Sequence, residues 1–70
     1  MAEKVILYTA PNCGTSDRAR ADLIAEGADL EERDVMASKA WYEECLKHSI
    51  WVPLVIRDGK ASIGWKGRTG

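Results

Sequence analysis

The sequence predicts a single α/β domain over residues 1–70, with elements in the order β-α-β-α-β-β and the strands in a four-stranded mixed sheet. Three observations predict it. Short apolar runs alternate with helical patterns, two strand-like runs flank Asp58-Gly59, and 70 residues leave room for one domain. Strands alternating with helices predict a parallel pair joined by right-handed crossovers, and the Asp-Gly pair predicts an antiparallel hairpin.

The first strand is expected at Lys4 to Thr9, an almost uniformly apolar segment that would be buried on both faces. A helix is expected from about Gly14 to Glu26, and Gly27 supplies its stop. Apolar residues at helical spacing predict the face of this helix that packs on the sheet: Ala21, Ile24 and Ala25, widened by Ala19 and Leu23.

The remaining elements follow from charge, capping and turn signals. Asp29 to Val35 is mostly charged, which predicts an edge strand that discourages pairing with other chains. A second helix is expected from about Ser38 to His48, with Ser38 as its N-cap. The hairpin strands are expected at Leu54 to Ile56 and Ala61 to Ile63.

The composition excludes several classes of protein. The formal charge is −1 with no basic stripe, which argues against binding to nucleic acid or to an anionic membrane. No apolar run approaches the roughly 20 residues of a membrane span, and the start of the chain does not have the pattern of a signal peptide. Two cysteines are too few for a secreted disulfide scaffold, so we expect a protein of the reducing cytoplasm.

Cys13 carries the chemistry that the sequence indicates. It lies where the first strand hands over to the first helix, and the free N–H groups and dipole of a helix start favour an anion such as a nucleophilic thiolate. The alternative is a buried, inert cysteine, but Pro11, Asn12 and Gly14 indicate a loop and argue against burial. Ser16 either satisfies backbone donors or hydrogen-bonds the thiolate, and its position leaves both roles open.

Further candidate residues surround this motif. Pro53 fits the start of a strand, and a cis bond before it would leave the Val52 backbone open to a peptide-like substrate. Trp51 and Trp65 serve either in packing or as walls of the site, and Thr15 is either a solvated residue or a substrate contact. Cys45 is expected in the core, since it shares a helix face with Trp41 and cysteine is often buried.

The chain resembles the glutaredoxin-like branch of the thioredoxin-fold proteins over essentially its whole length. The matching segments are residues 8–16, 30–35, 51–53 and 58–60. The resemblance implies a thioredoxin-like fold, Cys13 as the attacking thiol, and Val52-Pro53 as a cis-proline substrate clamp. Cys13-Gly14-Thr15-Ser16 is similar to the monothiol motif, and also to a small set of bacterial glutaredoxin-like proteins, some with selenocysteine at this position. The expected substrate-binding residues are Pro11, Gly14, Thr15, Trp51, Val52, Pro53 and Trp65.

The chain also departs from that family. Ala10 stands where glutathione-dependent members usually have a lysine, and Gly64-Trp65-Lys66-Gly67 lacks the acidic residues that hold the glutathione amine. The latter segment is similar to one in short redoxins that serve ribonucleotide reductase and accept electrons from thioredoxin reductase. The final helix of the family is missing or truncated. Either the chain is cut, or a partner chain or a bare apolar face beside the first helix takes the place of that helix, and because a bare face would be sticky we expect some self-association.

The leading functional hypothesis is a monothiol thiol–disulfide oxidoreductase, with Cys13 and Ser16 as its catalytic residues. It would act on a protein disulfide or a glutathione mixed disulfide without a cofactor, and glutathione or thioredoxin reductase would be the reductant. The resemblance also allows a glutathione-assisted [2Fe–2S] cluster carrier with Cys13 as a ligand. A third hypothesis is a binding module on a redox-inactive fold.

Overall fold

The computed structural model of the protein describes residues 3–11 and 13–67, so Asn12 of the Cys13 motif lies outside the described residues. Four strands and two helices follow in the expected order: β1 (Lys4–Thr9), α1 (Gly14–Ala25), β2 (Asp29–Asp34), α2 (Lys39–Leu46), β3 (Leu54–Arg57) and β4 (Lys60–Ile63). Within the described residues, no helix has the length and apolar character needed to cross a membrane.

The sheet is mixed, with the strand order β2-β1-β3-β4. β1 pairs with β2 in parallel, and β3 pairs antiparallel with both β1 and β4. The charged strand β2 lies at one edge, as its composition predicts. Asp58 and Gly59 join β3 to β4 with φ angles of 51° and 75°, the positive pair that a two-residue type I′ hairpin requires.

Several elements meet at one end of the sheet. β1 and β2 are parallel and both finish there, while β3 begins there because it runs antiparallel to β1. β4 also finishes there, since Ile63 pairs with Leu54 at the start of β3. The connection from β1 to α1, which contains Cys13, emerges at the same place. We call this place the Cys13 end of the sheet.

Two apolar clusters pack on opposite faces of the sheet. On the α1 side, the buried members come from β1, α1 and β3: Val5, Leu7, Ala19, Leu23 and Val55. On the α2 side, the buried members are Tyr8, Val35, Cys45 and Leu54. The strand residues alternate between the two faces with a period of two, so β1 is covered by a helix on each side, although Ile6 is only partly buried.

The predicted packing face of α1 is correct only in part. Ala19 and Leu23 are buried as expected, together with Ser16, whereas Ala21, Ile24 and Ala25 are exposed, and Ile24 is 59% exposed. Alanines contribute little apolar area, so their spacing is a weak guide to orientation. The helix instead turns the side of Leu23 toward Val5, Leu7 and Val55, where the sheet presents its larger apolar surface.

The described residues do not present the expected bare apolar sheet face beside α1. Val55 of β3 is fully buried on that side, and Trp65 packs against the same cluster after β4. The β4 residue paired with Val55 is Ser62, so the next strand offers a polar side chain on that face. The aromatic ring of Trp65 thus covers apolar surface that would otherwise be open to solvent.

A cluster of polar side chains holds α2 against the face of the sheet opposite to α1. The Tyr8 hydroxyl donates to Glu44 Oε2 at 3.0 Å, and Arg33 Nη1 donates to the same oxygen at 2.8 Å. Burial is the main cause that raises the pKa of Tyr8 above its ordinary value. These contacts join β1, β2 and α2, and they fix the helix that leads into the loop before β3.

Candidate functional site

Cys13 is the N-cap residue of α1. Its backbone is extended, with φ −101° and ψ 102°, and its Sγ accepts the Ser16 N–H at 3.3 Å. The Asp17 N–H donates to the Cys13 carbonyl at 3.1 Å, which closes the first turn of the helix. The sulfur therefore takes the place of the oxygen that serine or aspartate normally supplies at this position.

Cys13 is more buried than its flanking residues suggest. Only 6% of the residue is exposed, so the expectation that Pro11 and Gly14 keep it in an open loop is wrong. The connection from β1 to α1 is only four residues long, and the sulfur is turned back under the first helical turn by its contacts with Ser16. Pro11 and Gly14 themselves are exposed and Thr15 is half-buried, and their part in substrate binding stays a prediction.

Ser16 is fully buried and lies directly against the thiol. Its Oγ donates to Cys13 Sγ at 2.9 Å, in addition to the bond from its N–H. Of the two hypotheses for this residue, the geometry matches the one in which the hydroxyl hydrogen-bonds the sulfur. Two donors that converge on one buried sulfur are placed where they stabilise negative charge on it. The catalytic role itself stays a prediction.

Val52 and Pro53 lie beside the connection that leads to Cys13. Leu54, the first residue of β3, pairs with Tyr8, and Pro53 and Val52 directly precede it; Val52 and Ala10 both pack against the apolar cluster on the α2 face. The Val52–Pro53 peptide bond is cis, and the Gly64 N–H donates to the Pro53 carbonyl at 2.7 Å. The structure therefore brings this dipeptide to the Cys13 end of the sheet, whereas its role as a substrate clamp stays a prediction.

Two loops at the Cys13 end hold apolar side chains out from the protein. In the loop before β3, the buried Ser49 accepts the Trp51 N–H on its Oγ at 2.8 Å, while Ile50 and Trp51 are exposed. After β2, Asp34 Oδ1 accepts the Met36 N–H at 2.8 Å, and Met36 is exposed. Ile50 and Met36 were not anticipated as site residues. For Met36, the usable signal is an aspartate two residues before a large apolar residue in a loop, whereas Ile50 directly follows Ser49 and has no such signal.

An ion-pair network fixes the first turns of α1 to the sheet. Arg20 donates to Asp17 Oδ1 at 2.9 Å and to Glu32 Oε2 at 3.0 Å, and the Thr9 hydroxyl donates to the same Glu32 oxygen at 3.1 Å. From the sequence, Arg20 is expected only on a solvated helix face, Glu32 only as an edge-strand charge and Thr9 only at the end of the first strand. The network joins the end of β1, the strand β2 and the helix that Cys13 caps, so it supports the position of the thiol.

Trp65 lies along α1. Its indole N–H donates to Asp22 Oδ2 at 2.8 Å, and Lys66 Nζ lies 3.1 Å from the same oxygen. The indole bond is the main cause that holds the pKa of Asp22 below its ordinary value. A groove of about 450 Å³ runs beside these residues, Ala25 and Glu26. The structure thus places Trp65 about two helical turns past Cys13, and its part in substrate binding stays a prediction.

Cys45 belongs to the core, as expected. It is 4% exposed in the cluster on the α2 face, and its Sγ lies 3.7 Å from the Ser49 carbonyl, to which it donates. Burial raises the pKa of the Cys45 thiol. Both cysteines are free thiols. Among residues 3–11 and 13–67, no group of three or more His, Cys, Asp or Glu side chains is arranged to hold a metal ion.

Comparison with known proteins agrees with this geometry. Residues 5–61 match the family model for glutaredoxin, a span from the first strand to the second strand of the hairpin. A search of curated proteins found no match. The four-stranded mixed sheet with two helices is the thioredoxin-like fold of a glutaredoxin domain, and the matched family indicates a thiol-redox function in general. With its cysteine at the junction of β1 and α1, the chain belongs to the glutaredoxin family.

Proposed function

We propose that the protein is a monothiol thiol–disulfide oxidoreductase whose nucleophile is Cys13. The observation that carries the proposal is the pair of hydrogen bonds from Ser16, one from its N–H and one from its hydroxyl, to Cys13 Sγ at the start of α1. Donors fixed around a sulfur at a helix N-terminus favour the thiolate, which is the form that attacks disulfides.

The reaction is a disulfide exchange. Cys13 Sγ attacks one sulfur of a protein disulfide or a glutathione mixed disulfide, a new bond to Cys13 forms, and the other sulfur leaves as a thiolate. In the proposed geometry, the backbone of Val52, which packs with Ala10 against the same apolar cluster, aligns the incoming disulfide. Ser16 has no thiol, so release of Cys13 requires a second external thiol, either glutathione or a reductase such as thioredoxin reductase.

Cys45 supports the monothiol mechanism by its location. It packs with Tyr8 and Leu54 on the α2 face, and burial raises the pKa of its thiol. A resolving cysteine has to reach the mixed disulfide as a thiolate, and Cys45 lacks both the position and the ionisation for that role. Two free thiols also suit a reducing cytoplasm, which we propose as the location of the protein.

Two variants test the proposal. The reduction of a mixed disulfide between glutathione and a small thiol is followed with excess glutathione, for the unmodified protein and for Cys13→Ser and Cys45→Ala. We expect Cys13→Ser to lose turnover entirely and Cys45→Ala to retain it, because Cys45 only fills the core. Loss of turnover in Cys45→Ala, together with a Cys13–Cys45 disulfide in the mass spectrum of the oxidised protein, would show a two-cysteine mechanism instead.

A further inference from the structure

Large apolar side chains are concentrated at the Cys13 end of the sheet. The described residues expose seven of them, and four lie at this end: Ile50 (76% exposed), Met36 (71%), Trp51 (54%) and Ile63 (54%). Exposure of such groups costs free energy in the absence of a partner, and clusters of them mark interaction sites. We call these four residues the apolar rim.

The apolar rim lies on both sides of Cys13. Met36 follows β2, whereas Ile50 and Trp51 precede β3 and Ile63 ends β4. Because the strand order is β2-β1-β3-β4 and Cys13 follows β1, the thiol lies between Met36 and the other three residues. Neighbouring strands are about 4.8 Å apart, so the rim spans roughly 15 Å, the length of four or five extended residues.

The segments at this end carry no charge. Residues 10–16, 35–38, 49–53 and 62–64 contain no Asp, Glu, Lys or Arg, in a chain where 30% of residues are charged. Two carboxylates flank these segments and both are hydrogen-bonded within the protein. Asp17, which follows residues 10–16, accepts from Arg20, and Asp34, which precedes residues 35–38, accepts from the Met36 N–H. Glutathione has two carboxylates and an amine, so this surface offers it few charged partners. An uncharged, apolar segment fits the surface better.

We propose that the apolar rim docks an extended polypeptide segment that has an apolar residue two positions before and two positions after its disulfide-bonded cysteine. This inference rests on the proposed function and names the substrate class of the same site. Residues two positions apart in an extended segment share a face, so these two side chains contact Met36 on one side and Trp51 with Ile50 on the other, which places the disulfide over Cys13. Cys13 Sγ then forms a bond to the substrate cysteine and the second sulfur leaves as a thiolate, so no external oxidant or reductant is consumed.

The test measures capture of peptides by the reduced, full-length protein. Two symmetrical peptide disulfides are compared, with either leucine or serine at the second position on each side of the cysteine, and glutathione disulfide is the third probe. The mixed disulfide at Cys13 is quantified by mass spectrometry after acid quenching. Each rate is divided by the rate at which iodoacetamide alkylates Cys13, so that a general change in thiol reactivity cancels.

We expect the leucine peptide to be captured about tenfold faster than the serine peptide, because two side chains lose apolar surface to water-excluded contacts. Met36→Ser and Trp51→Ser should each lower this preference about threefold or more. Ile24→Ser is the matched control, since Ile24 is similarly exposed but lies ten residues along α1 from Gly14, about 15 Å away. It should leave the preference unchanged.

Several results would overturn the inference. Equal capture of the two peptides, faster capture of glutathione disulfide than of the leucine peptide, or an equal effect of Ile24→Ser and Met36→Ser would each do so. A dimer that Trp51→Ser converts to a monomer would show that a second copy occupies the rim, which also contradicts the proposal. Capture of none of the disulfides by a protein that iodoacetamide still labels at Cys13 would instead refute the proposed function.

Discussion

Replacement of Ser16 by alanine removes one of the two donors to Cys13 Sγ and leaves the other. The hydroxyl is fully buried and lies 2.9 Å from the sulfur, while the N–H at 3.3 Å remains in the variant. A hydrogen bond to a charged acceptor contributes about 1.5–3 kcal/mol, and the lower value applies because one donor persists. Loss of about 1.5 kcal/mol of thiolate stabilisation lowers the equilibrium ratio of thiolate to thiol about tenfold in the variant.

The effect on rate has two opposing parts. A less stabilised thiolate is a stronger nucleophile, and with a Brønsted coefficient of about 0.4–0.5 the gain is about threefold. At a pH low enough that the thiol form predominates in both proteins, Ser16→Ala should therefore be alkylated about three- to fourfold more slowly. In strongly alkaline solution, where both proteins are ionised, it should react about threefold faster.

The assay is the rate of iodoacetamide alkylation of Cys13 as a function of pH, followed by mass spectrometry so that Cys45 is measured separately. Ser38→Ala is the matched control, because Ser38 also caps a helix but donates nothing to Cys13; its Oγ accepts the Trp41 N–H at 3.4 Å. It should lower stability by about 1 kcal/mol and leave the alkylation profile unchanged. Identical profiles for Ser16→Ala and the unmodified protein would refute the assigned role of the hydroxyl.

Three further predictions follow from burial and ionisation. Cys45 should resist alkylation in the native protein and react only when urea unfolds it, since burial raises the pKa of its thiol; rapid labelling without urea would contradict its place in the core. Leu23→Ala should cost about 2–5 kcal/mol, measured by urea unfolding, because Leu23 is fully buried; Ile24→Ala, the exposed neighbour, should cost far less. Asp22→Asn should lower the urea midpoint at pH 7, since Trp65 holds the pKa of Asp22 below its unfolded value. The stabilisation by the Asp22 carboxylate is fully present above the pKa of Asp22 in the unfolded chain and is lost as pH falls through its pKa in the folded protein. The urea midpoints of Asp22→Asn and of the unmodified protein should therefore converge in acid. A difference between the two midpoints that stays constant with pH would show that charge is not the cause.

The order of elements was predictable because each has a local signal. The apolar run of β1, the Ser38 cap of α2 and the positive φ angles at Asp58-Gly59 all depend on residues close in sequence. The position of Cys13 at the N-terminus of α1 was predictable for the same reason. The family match over residues 5–61 agrees with what those local signals predict.

Features that depend on contacts between distant elements were not predictable. The packing face of α1 is set by Val5, Leu7 and Val55 on two different strands, so the spacing of alanines within the helix misled the prediction. Burial of Cys13 likewise depends on how tightly the chain turns from β1 into α1, although its neighbours are residues typical of loops. The bond between Trp65 and Asp22 joins positions 43 residues apart, and no local pattern indicates it.

One sulfur atom serves both as the reacting group and as the cap of α1, and this couples the redox state of the protein to its folding. When Cys13 Sγ bonds to another sulfur or to an alkyl group, it becomes a poorer acceptor for the Ser16 N–H and hydroxyl. The helix then loses a cap, and such losses typically cost about 0.5–2 kcal/mol. By thermodynamic reciprocity, whatever stabilises the folded helix also opposes covalent occupation of the sulfur. The native fold thus shifts the equilibrium of each mixed disulfide that Cys13 makes toward free Cys13.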